Sequence, residues 1–493
     1  MTQGHMDRLT SIDASFLTNE SGTSHMHIGA VTIFEGPPPG YDDLLAHIES
    51  RLALIPRYRQ KLAMPPVETG RPFWVDDPQF NLGYHVRHSA LPAPGAEDEL
   101  RRMAARVFSQ QLDRTKPLWE LWLVEGLRKK RFALISKNHH ALVDGVAGVD
   151  LVSVLFDMKP VPAPREDSDD WIAHPEPSGA SLAVKGIEGL AKTPLNAGKR
   201  VASAIASPKA TLREAQNAAE GLGEVAWEFA NPAPDVPLNV PIGPHRRYVW
   251  VRGELADFKR IKSVLGGTVN DVVLTAVAGS LRRWLRARGV RTEGLELRAL
   301  VPVSIRGEGE AGKLGNQIAA VRGPLPVYVE DPVQRLRTVR EVMDGIKGSK
   351  KALGAEVISR FNDFAPPTLL AQAARVNFST RLFNLIVTNV PGPQVPLYIL
   401  GRELLDIFPV AFLPENHALA IAIMSYNGKI DFGLLGDYDS MGDVILIAEG
   451  IEAEIKQLLE AASQAEKAQG GGGGRRSGAG RRAKGAAAGT PGA

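Results

Sequence analysis

The 493-residue sequence contains no cysteine. That excludes disulfides, zinc–thiolate sites, iron–sulfur clusters and a thiol nucleophile. It also contains no long apolar run. Stretches such as "ALAIAIM" at 418–424 fall far short of the ~20 residues that a membrane-spanning helix needs. The N-terminal "MTQGHMDRLTSIDASFL" lacks a basic region followed by an apolar core, so no signal peptide is expected. A cytoplasmic location follows as the expectation, with peripheral membrane association left open. Acidic residues are missing from the tail after Gln469, which holds five basic ones; the formal net charge of +3 therefore leaves −2 on residues 1–468. The slight basicity belongs to the tail, and nucleic acid is not an expected partner of the folded part.

What the chain does have is 44% hydrophobic and 23% charged residues, enough to bury a core in two domains. Residues 1–160 read as one unit. "HIGAVTIFEG" and "RFALISKNHHALV" have strand character, while "GYDDLLAHIESRLALI" and "DELRRMAARVFSQQL" carry apolar residues near helical period. "GVAGVDLVSVLFDM" reads as a helix. Residues 161–245 are bounded by Pro-rich stretches and read as a linker with helices, lying on the surface or touching a membrane. Residues 246–466 form a second mixed unit. "RRYVWVRGEL", "LRALVPVSIR" and "FNLIVTNVPGP" read as strands. "ALAIAIMSYNGKIDFGLLGDYD" reads as two strands joined by an Asn427–Gly428 turn. "TVNDVVLTAVAGSLRRWLRARG" reads as a helix capped by Thr268, and a closing helix spans roughly 441–466. Residues 467–493 are a Gly/Arg-rich tail expected to be disordered.

The chemistry concentrates in "SKNHHALVDGVAGVD", residues 136–150. A strand, a polar turn and a helix are a common way to present reactive side chains. A metal site is disfavoured, because adjacent residues of a strand point to opposite faces and no further ligand cluster stands out. Two readings remain open on the residues alone: satisfied structural histidines, or a general base. A neutral imidazole, with an ordinary pKa of ~6.5, is available to take a proton from an alcohol. Asp144 would hold the loop together and Gly145 would leave room for the turn. No G-x-S-x-G setting for a nucleophilic serine occurs, which favours direct transfer over an acyl-enzyme.

"HHALVDG" (139–145) resembles the H-H-x-x-x-D-G signature of CoA-dependent acyltransferases. Seven further segments narrow the resemblance: "LTSIDASFLTNE", "SHMHIGAVTIFEG", "RPFWVDDPQFNLGYHVRH", "LDRTKPLWELWLVEGL", "GGTVNDVVLTAVAGSLRRWL", "VPVSIR" and "TNVPGP". In this order they are similar to the bacterial wax ester synthase/diacylglycerol acyltransferase family, over about residues 8–460 and more weakly between 160 and 235. The resemblance implies an α/β (α+β) fold of two chloramphenicol-acetyltransferase-like domains meeting at a central tunnel. It implies an acyl-CoA-dependent O-acyltransferase acting on diacylglycerol, a long-chain fatty alcohol, or both. No cofactor is implied, since acyl-CoA is a substrate. His140 is the implied base and His139 a supporting residue of unresolved role. Asp144 is implied to be structural, with Arg306 as its candidate partner. Asn270 and Asp271, in the family's N-D segment, are candidates near the developing oxyanion, against a reading as capping and interdomain contacts. The Pro117-Leu118-Trp119-Glu120 segment ranks as architectural. A membrane or lipid-droplet surface is the expected docking partner, because such acceptors live in lipid. The competing functions are a condensation-type or polyketide-associated acyltransferase using carrier-bound substrates, and a lipid carrier with vestigial histidines.

Overall fold

The computed structural model describes residues 6–66, 71–142, 155–161, 171–185, 230–304, 318–348 and 378–471. Two six-stranded mixed sheets dominate it. The first is built mainly from the N-terminal half: β2 (His27–Phe34), β5 (Val86–Ala90), β6 (Trp119–Glu125) and β7 (Phe132–His139). A small antiparallel sheet of β1 (Asp7–Arg8), β3 (Gln60–Ala63) and β4 (Phe73–Asp76) also belongs to this half. The second large sheet has the order β10-β9-β11-β14-β15-β8. Its strands are β8 (Arg246–Glu254), β9 (Leu297–Ser304), β10 (Ile318–Leu325), β11 (Leu385–Pro391), β14 (Leu419–Tyr426) and β15 (Lys429–Asp437).

The remaining two strands, β12 (Tyr398–Ile399) and β13 (Arg402–Val410), come from the C-terminal half but complete the first sheet, whose order is β12-β13-β2-β7-β6-β5. β13 runs antiparallel to β2, with Phe408 opposite Val31. The chain thus crosses back from the second sheet to the first and returns. This pairing ties the halves together through backbone hydrogen bonds, which side-chain packing alone would not do.

The strands follow from their sequences. β7, "FALISKNH", is buried at nearly every position because it lies between β2 and β6, covered on both faces. β14 and β15 turn at Asn427 and Gly428, whose φ values of 41° and 86° are those of a two-residue hairpin loop. "GYDDLLAHIESRLALI" forms α2 (Tyr41–Glu49) and a short 3₁₀ turn at Leu52–Leu54 rather than one long helix. The other helices of the first half are α1 (Ser11–Asn19), α3 (Leu82–His85) and α4 (Glu97–Phe108). In the second half, α5 (Leu255–Leu265) is followed by α6 (Val269–Ala287), which starts at the expected N-cap, Thr268, and in a full capping box. Thr268 Oγ1 accepts from the Asp271 amide, and Asp271 Oδ2 accepts from the Thr268 amide. α6 is apolar on most sides and packs against α7 (Pro332–Gly348) and α8 (Val444–Gly471). Arg335 of α7 and Glu454 of α8, both buried, pair at 2.6 Å between these helices. The helix expected over 145–158 lies largely outside the described residues, as do most of the linker helices and the tail.

Two large hydrophobic clusters each draw on both halves: Val31, Ile33 and Phe108 lie with Trp250, Val272 and Ile421 in one, and Phe34 and Phe132 lie with Ile407 and Tyr426 in the other. Polar ties reinforce them. Arg252 of β8 bridges Glu97 of α4 at 2.9 Å and Asp406 of β13 at 3.1 Å. Tyr248 donates to the carbonyls of Phe408 and Pro409. The seam is tightest at Gly433, where a Cβ would stand 1.9 Å from the Pro409 carbonyl oxygen and 2.6 Å from the Tyr248 hydroxyl. Neither neighbour can yield without breaking β13 from its place. Gly433→Ala should lower stability by at least ~2 kcal/mol, as overpacking of a rigid core does. Thermal unfolding checks this against Gly442→Ala, where a Cβ meets nothing within 4 Å.

Candidate active site

β7 delivers three buried polar side chains to one end of the first sheet, and each has partners. Lys137 pairs with Glu120 at 3.2 Å and donates to the carbonyls of Val107 and Gln110. Asn138 accepts from the Tyr58 hydroxyl at 2.8 Å. His139 ends the strand, and His140 opens a 3₁₀ turn over His140–Leu142. The two histidines therefore leave the strand into different surroundings.

Three successive amides are pinned at this point. The His139 amide donates to Leu118 O at 3.0 Å, and the His140 amide donates to Met26 O at 2.9 Å. The Ala141 amide donates to the His139 ring itself, at Nδ1, at 3.0 Å. Met26 has a φ of 48°, a left-handed conformation that a methionine adopts only under constraint; it precedes the β2 residue that registers with His139. The Pro117–Glu120 segment is architectural, as expected. Trp119 is buried, stacks on His85 and donates to Tyr58 O, while Leu118 supplies the carbonyl that holds His139.

Because Nδ1 of His139 accepts a hydrogen bond, the neutral ring carries its proton on Nε2. That nitrogen lies 3.6 Å from the carboxylate of Glu20, in ion-pair range but longer than a hydrogen bond. Glu20 sits just after α1 and is also gripped by Arg114, whose Nε donates at 2.6 Å. Burial pushes the Glu20 carboxyl up, but the His139 and Arg114 contacts outweigh it and hold the pKa below the usual value. His27, opposite His139 across the sheet, is pushed well below its ordinary range by burial, with Lys137 adding to the effect.

His140 faces a different environment. Its ring stacks on Phe16 at 3.8 Å between centroids and 16° between planes. Phe412 meets it edge-on at 5.5 Å. Phe378 closes the cluster, 6.3 Å from Phe16 and 5.7 Å from Phe412. Phe16 comes from α1, and the other two come from the C-terminal half. His140 Nδ1 is buried with no hydrogen-bond partner. Burial in this apolar cage pushes the imidazole down to about 4; its own backbone carbonyl opposes the shift and the neighbouring His139 adds to it. At neutral pH the ring is uncharged and free to accept a proton.

Asn270 and Asp271 lie at the start of α6. Asp271 is buried and spends Oδ2 on the capping box, so its observed role is the helix cap. Asn270 Oδ1 accepts from Asn389 of β11 at 3.4 Å, which brings the "TVNDVV" and "TNVPGP" segments together. Among the described residues no hydrogen bond joins Asn270 to either histidine. Asp144, Gly145 and Arg306 lie outside the described residues. Among the described residues no three potential metal ligands of the His, Cys, Asp or Glu type gather.

Sequence reasoning missed Glu20, Phe16, Phe378 and Phe412. Phe16 and Glu20 stand in "DASFLTNE", within a segment read above without a role being assigned to either. Phe378 and Phe412 carry no local signal, because only the fold brings them into the aromatic cluster around His140.

A model of the wax ester synthase/diacylglycerol acyltransferase catalytic domain matches residues 9–273, and one of the WS/DGAT C-terminal domain matches residues 314–459. The chain belongs to this family. A Mycobacterium tuberculosis protein named as a probable diacylglycerol O-acyltransferase is 35% identical over 460 residues, covering 92% of this chain and 96% of that protein. A second so named from the same organism is 32% identical over 476 residues, covering 92% and 99%. The solved wax ester synthase/diacylglycerol acyltransferase of Marinobacter aquaeolei VT8 superposes with a TM-score of 0.64 at 25% identity, covering 92% of this chain and all of that one. A condensation domain of the calcium-dependent antibiotic synthetase, at 17% identity and a TM-score of 0.59 with 93% and 97% covered, shares the fold. The α/β fold that the resemblance implied is thus the one observed.

The amide clamp yields a direct test. His139→Ala removes the acceptor of the Ala141 amide, and one such hydrogen bond is worth ~1 kcal/mol. Amide exchange at Ala141 should accelerate about fivefold or more, and His139→Asn, whose side-chain carbonyl can accept, should recover part of the protection.

Proposed function

We propose that this acyltransferase moves a long-chain acyl group from acyl-CoA to the hydroxyl of diacylglycerol, of a long-chain fatty alcohol, or of both, with His140 as general base. The observation that carries the assignment is the neutral His140 ring, held between Phe16 and Phe412, which Phe378 backs, on a backbone pinned by three hydrogen bonds. The lone pair that takes the proton is assigned to Nε2, since Nδ1 is buried and without a hydrogen-bond partner. The alcohol gives its proton to Nε2 as its oxygen attacks the thioester carbonyl. The tetrahedral intermediate then collapses, the carbon–sulfur bond breaks, and the imidazolium returns the proton to the departing sulfur. The products are an ester and free CoA, and no cofactor enters the balance.

The same apolar cage suits the acceptor. A phenylalanine-lined surface favours hydrocarbon over water next to the base, which protects the thioester from hydrolysis. His139 acts as a positioning residue, because its ring holds the turn that carries His140. Asp144 and its candidate partner Arg306 are assigned the support of the loop that follows, and Gly145 the room for its turn. Asn270, at a helix N-terminus, is assigned to the developing oxyanion. The acceptors reside in lipid, so the enzyme is assigned a peripheral position at a membrane or lipid-droplet surface on the cytoplasmic side. Among the described residues no single helix is long and apolar enough to cross a membrane; the bent pair α5–α6 passes by length and composition together, but α6 is buried in the core.

His140→Ala should lower turnover of palmitoyl-CoA with diacylglycerol or hexadecanol by about 10²–10⁴-fold while the protein stays folded. His139→Ala should lose less. Ester formation followed with labelled palmitoyl-CoA checks both, and the reverse order of losses would contradict the assignment of the base.

A further inference from the structure

A groove of about 610 Å³ separates α4 from the start of β8 and lies on the seam between the two halves. Five arginines line it: Arg101, Arg102 and Arg106 from α4, and Arg246 and Arg247 from β8. The one carboxylate in the lining is Asp98, 3.1 Å from Arg101. Residues 1–468 carry a slightly negative net charge, so this concentration of positive charge is local and not a consequence of composition.

Arg246 forms the floor and is only 4% exposed. Its Nη1 donates to Gly243 O at 2.6 Å and to His245 O at 3.0 Å, and its Nη2 donates to Thr23 O. Among the described residues no carboxylate lies within ion-pair distance of it. A buried cation satisfied by carbonyl dipoles alone is costly, and an anion from outside would relieve it. Burial accordingly pulls its pKa down to about 10, against the more distant pull of Asp437.

The walls are held in place. The Arg101 guanidinium rests on the Trp250 ring at 4.6 Å, and Arg247 rests on Tyr438 at 4.1 Å while donating to the Tyr438 carbonyl. Arg106 is exposed and has no carboxylate partner among the described residues. Tyr438 and Ile445, both exposed, add flat and apolar surface at the rim.

The floor of the groove is joined through the chain to the histidines behind the candidate active site. Thr23, which receives Arg246, opens the segment that carries His25 and His27. Their rings lie 5.5 Å apart, and the His27 ring lies 6.2 Å from that of His139.

We propose that this groove binds the phosphate groups of a ligand, with the phosphorylated nucleotide end of the acyl-CoA donor as the source that fits the reaction. Guanidinium groups from two elements match phosphate oxygens. The size suits a nucleotide-sized ligand. CoA places a long flexible arm between its phosphates and its thioester, which is what a phosphate site set back from the base requires. The assignment of the source rests on the acyl-CoA reading above; the assignment of a phosphate site does not.

The test uses the full chain with Arg102→Ala and Arg106→Ala combined, two exposed positions whose loss leaves the core intact. Equilibrium dialysis with 3′-phosphoadenosine 5′-phosphate should show binding to the unmodified protein and about tenfold weaker binding to the variant, the loss of roughly one charge-assisted contact. The KM for palmitoyl-CoA should rise by a similar factor, with kcat changed less than twofold. A parallel arm measures sedimentation with vesicles of phosphatidylcholine and phosphatidylglycerol. Loss of vesicle binding in the variant, with no nucleotide binding by either protein, would overturn the donor as source and assign the phosphate to a lipid headgroup. Equal behaviour of both proteins in both arms would overturn the phosphate site itself. Dialysis needs no turnover, so nucleotide binding without ester formation would count against the proposed reaction and leave the groove standing.

Discussion

The hydrogen bond from the Ala141 amide to Nδ1 of His139 is the contact on which the candidate site depends. It fixes the tautomer of His139, and with it the direction of Nε2 toward Glu20. It also bends the chain out of β7 at the one residue whose side chain must leave the sheet. Without it, the amides of His139 and His140 would still be held by Leu118 and Met26, but the turn beyond them would have no acceptor at its first free position. A single ring thus serves as a backbone cap, and the neighbouring ring is left unencumbered. Two adjacent histidines with unequal surroundings follow from this geometry: one ring accepts a backbone hydrogen bond, and the other is enclosed by aromatic rings.

The electrostatics divide along the same line. Behind His139 the site is polar and compensated: Glu20 meets Arg114, and Lys137 meets Glu120. In front, around His140, it is aromatic. Desolvation by the rings is the largest effect on His140, and the polar groups near it are too few to reverse it. The result is a base that is weak by the standard of free imidazole but unprotonated at any neutral pH. The cage needs both halves of the chain. Phe16 is part of α1, while Phe412 lies just beyond β13, the strand that crosses into the first sheet. The interdomain seam is therefore a condition of the site, and the close approach at Gly433 and the Arg252 bridges hold that condition.

Much of this was legible in the residues. β2, β7, β8, β9, β11, β14 and β15 stand where β-branched and aromatic runs between turn signals put them; all but β8, which is an edge strand, have a neighbour on each side. The α6 cap was readable from Thr268 and Asp271, whose spacing is local. The capping alternative also fits Asp271 better than an oxyanion role, since its Oδ2 is already committed. β13, "RELLDIFPV", was not read, because its place beside β2 rests on a partner about 375 residues away. The same holds for the aromatic cage, since nothing near Phe412 announces a histidine contact. The divergence of His139 and His140 was legible in outcome. Its cause, a strand that ends between them, belongs to the backbone.

The central claim is that His140 works as a base held unprotonated at neutral pH by its apolar cage until it takes the proton of the acceptor. The pH dependence of kcat/KM tests it most directly, measured with palmitoyl-CoA and a fixed acceptor on protein that remains folded across the range. A histidine whose pKa is pushed down is unprotonated, and active, above that lowered value, and it loses activity only as the pH falls through it. The acid limb should therefore lie near pH 4, with activity flat from about pH 5 to 8. A half-loss near the ~6.5 of an ordinary imidazole would contradict the account.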